Sequence, residues 1–268
     1  MKVSLRTTNE LKKITYRPKP FMQKCSNAIL PKDKTNPMNK LIVVTGGTKG
    51  IGRAILQRFA AAGFDVATCG RNEEHLARFK TEMEQLQVKA YTFRADMRDV
   101  EQVAAFCKSI ADLNRPVNVL VNNAGYFVPG SVLDEPSGTL ESMIETNLYS
   151  AYYTTRGLSN QIKTGGHIFN MCSIASIKAY PNGGSYAISK FALLGFSKVL
   201  REELKPAGVR VTAILPGATK TDSWAGSGLP DSRFMKPEDV AEAVFSAWSL
   251  SPHSVVEELL IRPQLGDI

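Results

Sequence analysis

The sequence predicts an α/β fold: a doubly wound sheet of about seven parallel strands with helices on both faces. Three observations predict it. From residue 40 onward, short apolar runs rich in Val and Ile alternate with stretches of helical period. The first apolar run passes into a glycine-rich loop that opens a helix. Later runs end in glycine, asparagine, aspartate or serine and then give way to another helical stretch. Alternation this regular implies right-handed β-α-β units and one parallel sheet.

The first strand is Leu41-Ile42-Val43-Val44, apolar throughout, as a strand buried on both faces should be. Thr45 to Gly52 follow, with Gly46, Gly50 and Gly52 in a Gly-x-x-x-Gly-x-Gly spacing, and then a helical pattern through Ile55, Phe59 and Ala62. Glycines allow the tight turn and let the backbone approach a pyrophosphate. The helix N-terminus offers free N–H groups and the positive end of its dipole. A second strand, Phe64–Cys69, ends in Gly70-Arg71-Asn72, and residues 73–87 are helical. Val88–Arg94 leads to Ala95-Asp96-Met97, residues 99–112 are helical, and Val117–Val121 runs into Asn122-Asn123-Ala124-Gly125. A long helix lies within 138–163, and His167–Met171 ends at Cys172-Ser173. The next helix runs to about Lys205; Val209–Leu215 ends at Pro216-Gly217. A helix at 237–249 and a strand at 255–261 complete the pattern. Ligands of such sheets bind at the carboxyl ends of the strands. Here the glycine loop, Arg71, Asp96, Asn122 to Gly125, Ser173 and Pro216-Gly217 all fall there.

Charge narrows the partners. The chain carries +8, but residues 1–38 hold nine Lys or Arg against Glu10 and Asp33, leaving 24 basic and 23 acidic side chains beyond them. The body is nearly neutral, so no nucleic-acid surface is expected. No apolar run reaches the roughly 18 residues of a membrane span. Residues 1–38, broken by Pro18, Pro20, Pro31 and Pro37, are expected to be a basic, disordered extension, and 39–268 a single domain. Cys25, Cys69, Cys107 and Cys172 have no Cys-x-x-Cys spacing, and His75, His167 and His253 are scattered. No metal site is expected, and the thiols suit a reducing, cytoplasmic setting.

The chemistry gathers at Ser185-Tyr186-Ala187-Ile188-Ser189-Lys190. Tyr186 and Lys190 are four residues apart and share one helix face. A phenol with a pKa of about 10 is a poor acid at neutral pH. A neighbouring ammonium is expected to bring it down toward the working range, so that Tyr186 exchanges a proton with an alkoxide.

These motifs resemble the short-chain dehydrogenase/reductase family from about Lys40 onward. They are the glycine loop, Asn122 to Gly125, Asn147, Ser173, Tyr186-x-x-x-Lys190 and Pro216-Gly217-x-x-x-Thr221. The resemblance implies a Rossmann-like catalytic domain in a homodimer or homotetramer. It makes Asn147, Ser173, Tyr186 and Lys190 catalytic, with Asn147 anchoring a relay water and Lys190 also holding the nicotinamide ribose. The cofactor would be bound by Gly46, Thr48, Lys49, Gly50, Ile51, Gly52, Arg71, Asp96, Met97, Asn123, Ala124, Gly125, Tyr186, Lys190, Pro216, Gly217, Thr219 and Thr221. Charge adds a preference: Gly70 stands where an NAD site keeps an acid, while Arg71 and Lys49 suit a 2′-phosphate, so NADP(H) is expected over NAD(H).

The C-terminal half is similar to bacterial sepiapterin-reductase-like members. The carrying residues are Gly166-His167-Ile168-Phe169, Trp224 after Thr221, Val255 to Pro263, and Gly266-Asp267-Ile268. The expected substrate is a small ketone or diketone, a pterin side chain included, lying against Ser173, Tyr180, Tyr186 and Trp224. Two alternatives stand beside it. One is a 3-oxoacyl-thioester reductase, although Tyr126 to Gly130 replace the Ile-Thr-Arg-Asp-like segment of that group. The other is a non-catalytic NADP(H)-binding regulator.

Overall fold

The structure, a computed structural model, describes residues 38–268; the expectation of a disordered extension therefore lies, except for Met38, outside the described residues. Seven strands form one sheet in the order β3-β2-β1-β4-β5-β6-β7, and every pairing is parallel. They are β1 (Leu41–Thr45), β2 (Asp65–Gly70), β3 (Ala90–Arg94), β4 (Val119–Asn122), β5 (His167–Met171), β6 (Arg210–Pro216) and β7 (Glu258–Ile261). The helices are α1 (Gly50–Ala61), α2 (Glu73–Gln85), α3 (Val100–Ala111), α4 (Thr139–Ile144), α5 (Ser150–Gly157), α6 (Gly184–Leu204) and α7 (Pro237–Ser249).

Strand order reverses at β1, whose neighbours are β2 and β4. A crevice opens beyond the carboxyl ends at such a switch point. All residues of β1 and β5 are buried, which is why β1 is an apolar run rather than an alternation, while β5 buries His167 and Asn170 with hydrogen-bond partners. One face of the sheet packs on α1, α2 and α7 through Ile55, Phe59, Phe79, Met83, Val240 and Val244. The other packs on α3 and α6 through Val103, Phe106, Ile110 and Leu200. Cys69, Cys107 and Cys172 are free and buried in this framework. Burial pushes the Cys69 thiol up to about 12 and the Cys107 thiol to about 11.

Helix starts follow local chemistry. Asn72 accepts from His75 N at 2.9 Å at the head of α2, and Asp99 accepts from Glu101 N at the same distance at the head of α3. Several boundaries depart from the sequence expectation: β3 starts at Ala90 rather than Val88 and β4 at Val119 rather than Val117, and three further departures are informative. Phe64 precedes β2 and joins an edge-to-face cluster with Phe59 and Trp248, at 5.1 and 4.9 Å between ring centres. Strand β7 is shorter than 255–261, because only Glu258 to Ile261 pair with β6 and, among the described residues, no strand pairs beyond this edge. The long helix within 138–163 is interrupted by a π turn, Glu145–Tyr149, between α4 and α5.

At the opposite end of the sheet from the carboxyl termini of β1 and β2, Asp65 and Arg115 form a buried ion pair at 2.6 Å. Asp65 also accepts from Asn39 Nδ2 and Lys89 N, both at 3.0 Å, and Arg115 donates to the Asn39 carbonyl. The pair is hydrogen-bonded on both sides, as buried charges must be.

Candidate active site

A cleft of about 620 Å³ lies at the carboxyl ends of the strands. Of the residues expected there, Gly46, Lys49, Gly50, Ile51, Gly52, Asn123, Gly125, Ser173, Tyr180, Tyr186, Lys190, Pro216, Gly217, Thr219, Thr221 and Trp224 line it. Thr48, Arg71, Asp96, Met97, Ala124 and Asn147 do not line it.

The glycine loop is fastened to the end of β4. Thr45 Oγ1 accepts from Asn123 N and Ala124 N, each at 3.0 Å. Asn123 Nδ2 donates to Thr45 O at 3.0 Å and Gly46 O at 3.1 Å. A Cβ at Gly52 would stand 2.5 Å from Asn123 Nδ2 and 2.9 Å from Gly46 O, so glycine is required by space there. At Gly46 and Gly50 the backbone has φ of 67° and 54°, the left-handed region. Helix α1 begins after Lys49 with no side-chain cap, leaving its first N–H groups facing the cleft. A bare, glycine-walled helix start fits a pyrophosphate.

Tyr186 sits in the first turn of α6, half-buried, with its ring edge-to-face on Phe127 at 4.8 Å. Ser173, immediately after the Met171-Cys172 end of β5, heads a short 3-10 turn, Ile174–Ser176. Its Oγ accepts from Ala175 N at 3.1 Å, so its proton is free to donate on the side where the Tyr186 hydroxyl lies. Lys190 is buried; its Nζ donates to Met171 O at 2.7 Å and lies 5.7 Å from the centre of the Tyr186 ring.

The expectation that Lys190 would bring the Tyr186 phenol down is corrected by this geometry. Burial pushes Tyr186 up to about 12, with the neighbouring Ser173 hydroxyl opposing it only in part. Burial also pulls Lys190 down to about 8. Desolvation sets both directions, because both groups lie in the cleft and the Lys190 ammonium is turned to the Met171 carbonyl. Tyr186 is thus held protonated at neutral pH, the state of a proton donor.

Asn147 is carried by the π turn and is 1% exposed. π turns often sit at functional positions, since one extra residue re-aims a side chain. Here the amide faces inward: Oδ1 accepts from Tyr126 N at 2.9 Å, and Nδ2 donates to Tyr126 O at 3.2 Å and Ser189 Oγ at 2.9 Å. Ser189 Oγ in turn donates to Tyr186 O at 2.7 Å. The Asn147 side chain therefore braces the Tyr126 loop against the Tyr186 turn.

The residues at the ends of β2 and β3 have separate surroundings. Asp96 is bound by Arg98, with Nη2 to Oδ2 at 2.6 Å, which holds its carboxyl below the usual range. Met97 is buried, its sulfur 3.3 Å from that of Cys69. Arg71 is exposed and forms no ion pair among the described residues. Lys49, expected to reinforce Arg71, instead pairs with Asp222 at 2.8 Å across the mouth of the cleft. Asp222 begins the short turn Asp222–Trp224, and Trp224 packs on Phe234 at 5.4 Å. Lys178 and Asp222 also line the cleft and carry no motif that points to them in sequence, and Asp267, from the C-terminal Gly266-Asp267-Ile268, joins them.

A doubly wound sheet with a glycine-walled helix start, a Tyr–Ser hydroxyl pair and a buried lysine in one cleft defines an oxidoreductase of the dinucleotide-binding class. The family described as short chain dehydrogenase matches residues 40–229, and the chain belongs to that family, whose members interconvert alcohols and carbonyls. It is 34% identical over 240 residues to sulfoacetaldehyde reductase 2 of Chromohalobacter salexigens, covering 84% of this chain and 95% of the relative. It is 31% identical to the sepiapterin reductase of Chlorobaculum tepidum, covering 86% and 99%. Among solved structures, a short chain dehydrogenase of Burkholderia cenocepacia in complex with NADP superposes with a TM-score of 0.79 at 29% identity, covering 85% and 98%. An alcohol dehydrogenase of Thermococcus sibiricus complexed with 5-hydroxy-NADP gives 0.79 at 30%, covering 84% and 97%.

Proposed function

We propose that the chain reduces the carbonyl of a small ketone, diketone or aldehyde with NADPH, Tyr186 donating the proton. The observation that carries this reading is the meeting of Tyr186 and Ser173, two hydroxyl side chains, in one cleft walled by Phe127, Tyr180 and Trp224. As hydride reaches a carbonyl carbon, negative charge develops on its oxygen. Two hydroxyl donors aimed at that oxygen stabilise it, and the phenol then gives up its proton. The bound nicotinamide supplies the hydride. Lys190 keeps a positive charge beneath the site below about pH 8. The aromatic walls exclude water and select a flat or compact substrate.

The glycine loop, Asn123 and the free start of α1 would hold the pyrophosphate, Lys190 the ribose next to the nicotinamide, and Thr219 and Thr221 the carboxamide end. Preference for NADP(H) is supported by the unpaired, exposed Arg71 beyond Gly70 and by the NADP complexes among similar structures. Since Lys49 is engaged by Asp222, Arg71 carries that preference. We further read the protein as a cytoplasmic homodimer or homotetramer on the family likeness.

The test is NADPH oxidation by the full chain with sulfoacetaldehyde, sepiapterin, a simple vicinal diketone and an acetoacetyl thioester. Turnover of the small carbonyls supports the reading. Turnover of the acetoacetyl thioester alone overturns it in favour of a 3-oxoacyl-thioester reductase.

A further inference from the structure

We propose that Glu135 is a positioning residue for the reaction: its carboxylate clamps the first turn of α6 and so fixes where the Tyr186 hydroxyl stands. This rests on the reductase reading above but concerns a residue outside the cleft lining.

Helix α6 begins without ordinary end chemistry. Its cap, Gly183, offers no side chain, and its first turn contains no acid. The orphan N–H groups of a helix start need acceptors, and the dipole there favours negative charge. Glu135 supplies both from a distant loop. Its Oε2 accepts from Ser185 N at 3.3 Å, and its Oε1 accepts from Ser185 Oγ. Ser185 is 1% exposed and immediately precedes Tyr186. A bidentate, charge-assisted contact on a buried serine is stronger than a neutral cap.

The loop is shaped to deliver that carboxylate. Gly130 N donates to Asn182 O at 3.0 Å, tying the loop to the residues before α6. Glu135 N donates to Ser131 O at 2.8 Å, closing a turn that projects its side chain back toward the helix. Gly184 has φ of 35°, and a Cβ there would collide with the Gly130 carbonyl and lie 2.8 Å from Glu135 Oε2. The glycine lets loop and helix start approach this closely.

The same turn of α6 is held from its other side by Ser189, through the Tyr186 carbonyl and the Asn147 amide. Tyr186 therefore stands between two braces. Its phenol must meet a substrate oxygen to within a fraction of an ångström for efficient proton transfer. Loss of the Glu135 brace would loosen orientation without touching the glycine loop.

The experiment compares wild type with Glu135→Ala, Glu135→Gln, Ser185→Ala, the Glu135→Ala/Ser185→Ala double variant, and Asp134→Ala as a neighbouring-carboxylate control. Hydrogen exchange of the full chain reads the clamp directly and needs no substrate. NADPH titration by fluorescence and kcat on whichever panel carbonyl wild type turns over read its consequence. Expected are at least about tenfold faster exchange in Glu135→Ala over 184–190, with 195–204 unchanged, and a kcat lowered about ten- to hundredfold with NADPH affinity within twofold. Glu135→Gln, keeping an acceptor, should recover most of kcat. The double variant should be no worse than either single one, and Asp134→Ala should match wild type. Unchanged exchange, unchanged kcat, additive losses in the double variant, or NADPH affinity falling in step with kcat would each overturn the proposal. A wild-type chain that binds NADPH and reduces nothing in the panel would overturn the reductase reading and the claim on kcat with it. The exchange result would still show whether Glu135 holds the helix.

Discussion

Lys190→Met should make the protein more stable at neutral pH while disabling it. Lys190 is 5% exposed and its amine is pulled from 10.5 down to about 8 by burial. Below about pH 8 the native chain carries an ammonium in a place that disfavours it, whereas the unfolded chain keeps it hydrated. Between about 8 and 10.5 the unfolded state binds the extra proton, so wild-type stability rises with pH across that window. At about 1.4 kcal/mol for each tenfold change in proton affinity, the gap corresponds to about 3 kcal/mol of destabilisation at pH 7. Methionine removes that cost and keeps most of the volume, but leaves Met171 O without its donor, a loss of about 1 kcal/mol. The net expectation at pH 7 is a gain of about 2 kcal/mol. Urea unfolding of both proteins at pH 7, 8.5 and 10 measures it. The advantage should shrink as pH rises and vanish near the upper value. A variant destabilised by more than about 1 kcal/mol at pH 7, with a difference that does not move with pH, would refute the reasoning. It would mean that the ammonium is well solvated or well paired in the folded chain.

Tyr186→Phe keeps the ring against Phe127 and removes the phenolic proton. NADPH titration should be unchanged while kcat falls at least about a hundredfold, the scale of general acid catalysis. Arg71→Asp restores the acid an NAD site uses and repels a 2′-phosphate, so the ratio of kcat/KM for NADPH over NADH should invert. An unchanged ratio would place phosphate recognition elsewhere. Arg115→Ala strands the buried Asp65 carboxylate and should cost about 3–5 kcal/mol in denaturant unfolding, with the cofactor preference untouched.

The sheet was legible because burial on both faces leaves a plain mark: Leu41 to Val44 is an apolar run of the kind a covered strand carries. Edges were less legible. Val255 and Val256 have strand composition, but a terminal strand pairs on one side only, and its length is set by β6. The π turn left no trace, since one added residue shifts helical period too little to see against 3.6. At the site, Ser173, Tyr186 and Lys190 were marked by strand-end position, helical spacing and the family resemblance together, and they meet in one cleft. Their proton affinities could not be read that way. Four residues of separation say that two side chains are neighbours, but not how far burial takes each of them from water. Partners were equally hidden: Asp222 is 173 positions from Lys49 and Glu135 is 50 from Ser185. Loop residues with no period of their own reveal such pairings only once the chain has folded.

The π turn at Glu145–Tyr149 also bears on which changes of length this chain tolerates. A π turn is an α-helix with one residue inserted. Deleting a residue there would restore regular winding and swing everything after it by about 100°. Thr155 Oγ1, which accepts from Asn122 Nδ2 at 2.9 Å, would leave the end of β4, and the buried Thr154 would turn away from its place beside Cys107. Single-residue deletions should thus be lethal between 145 and 149. In the exposed stretch 226–232, where the chain packs against little, they should pass almost unnoticed. A deletion scan would show this helix as a place where the register of the chain, more than its chemistry, is under constraint.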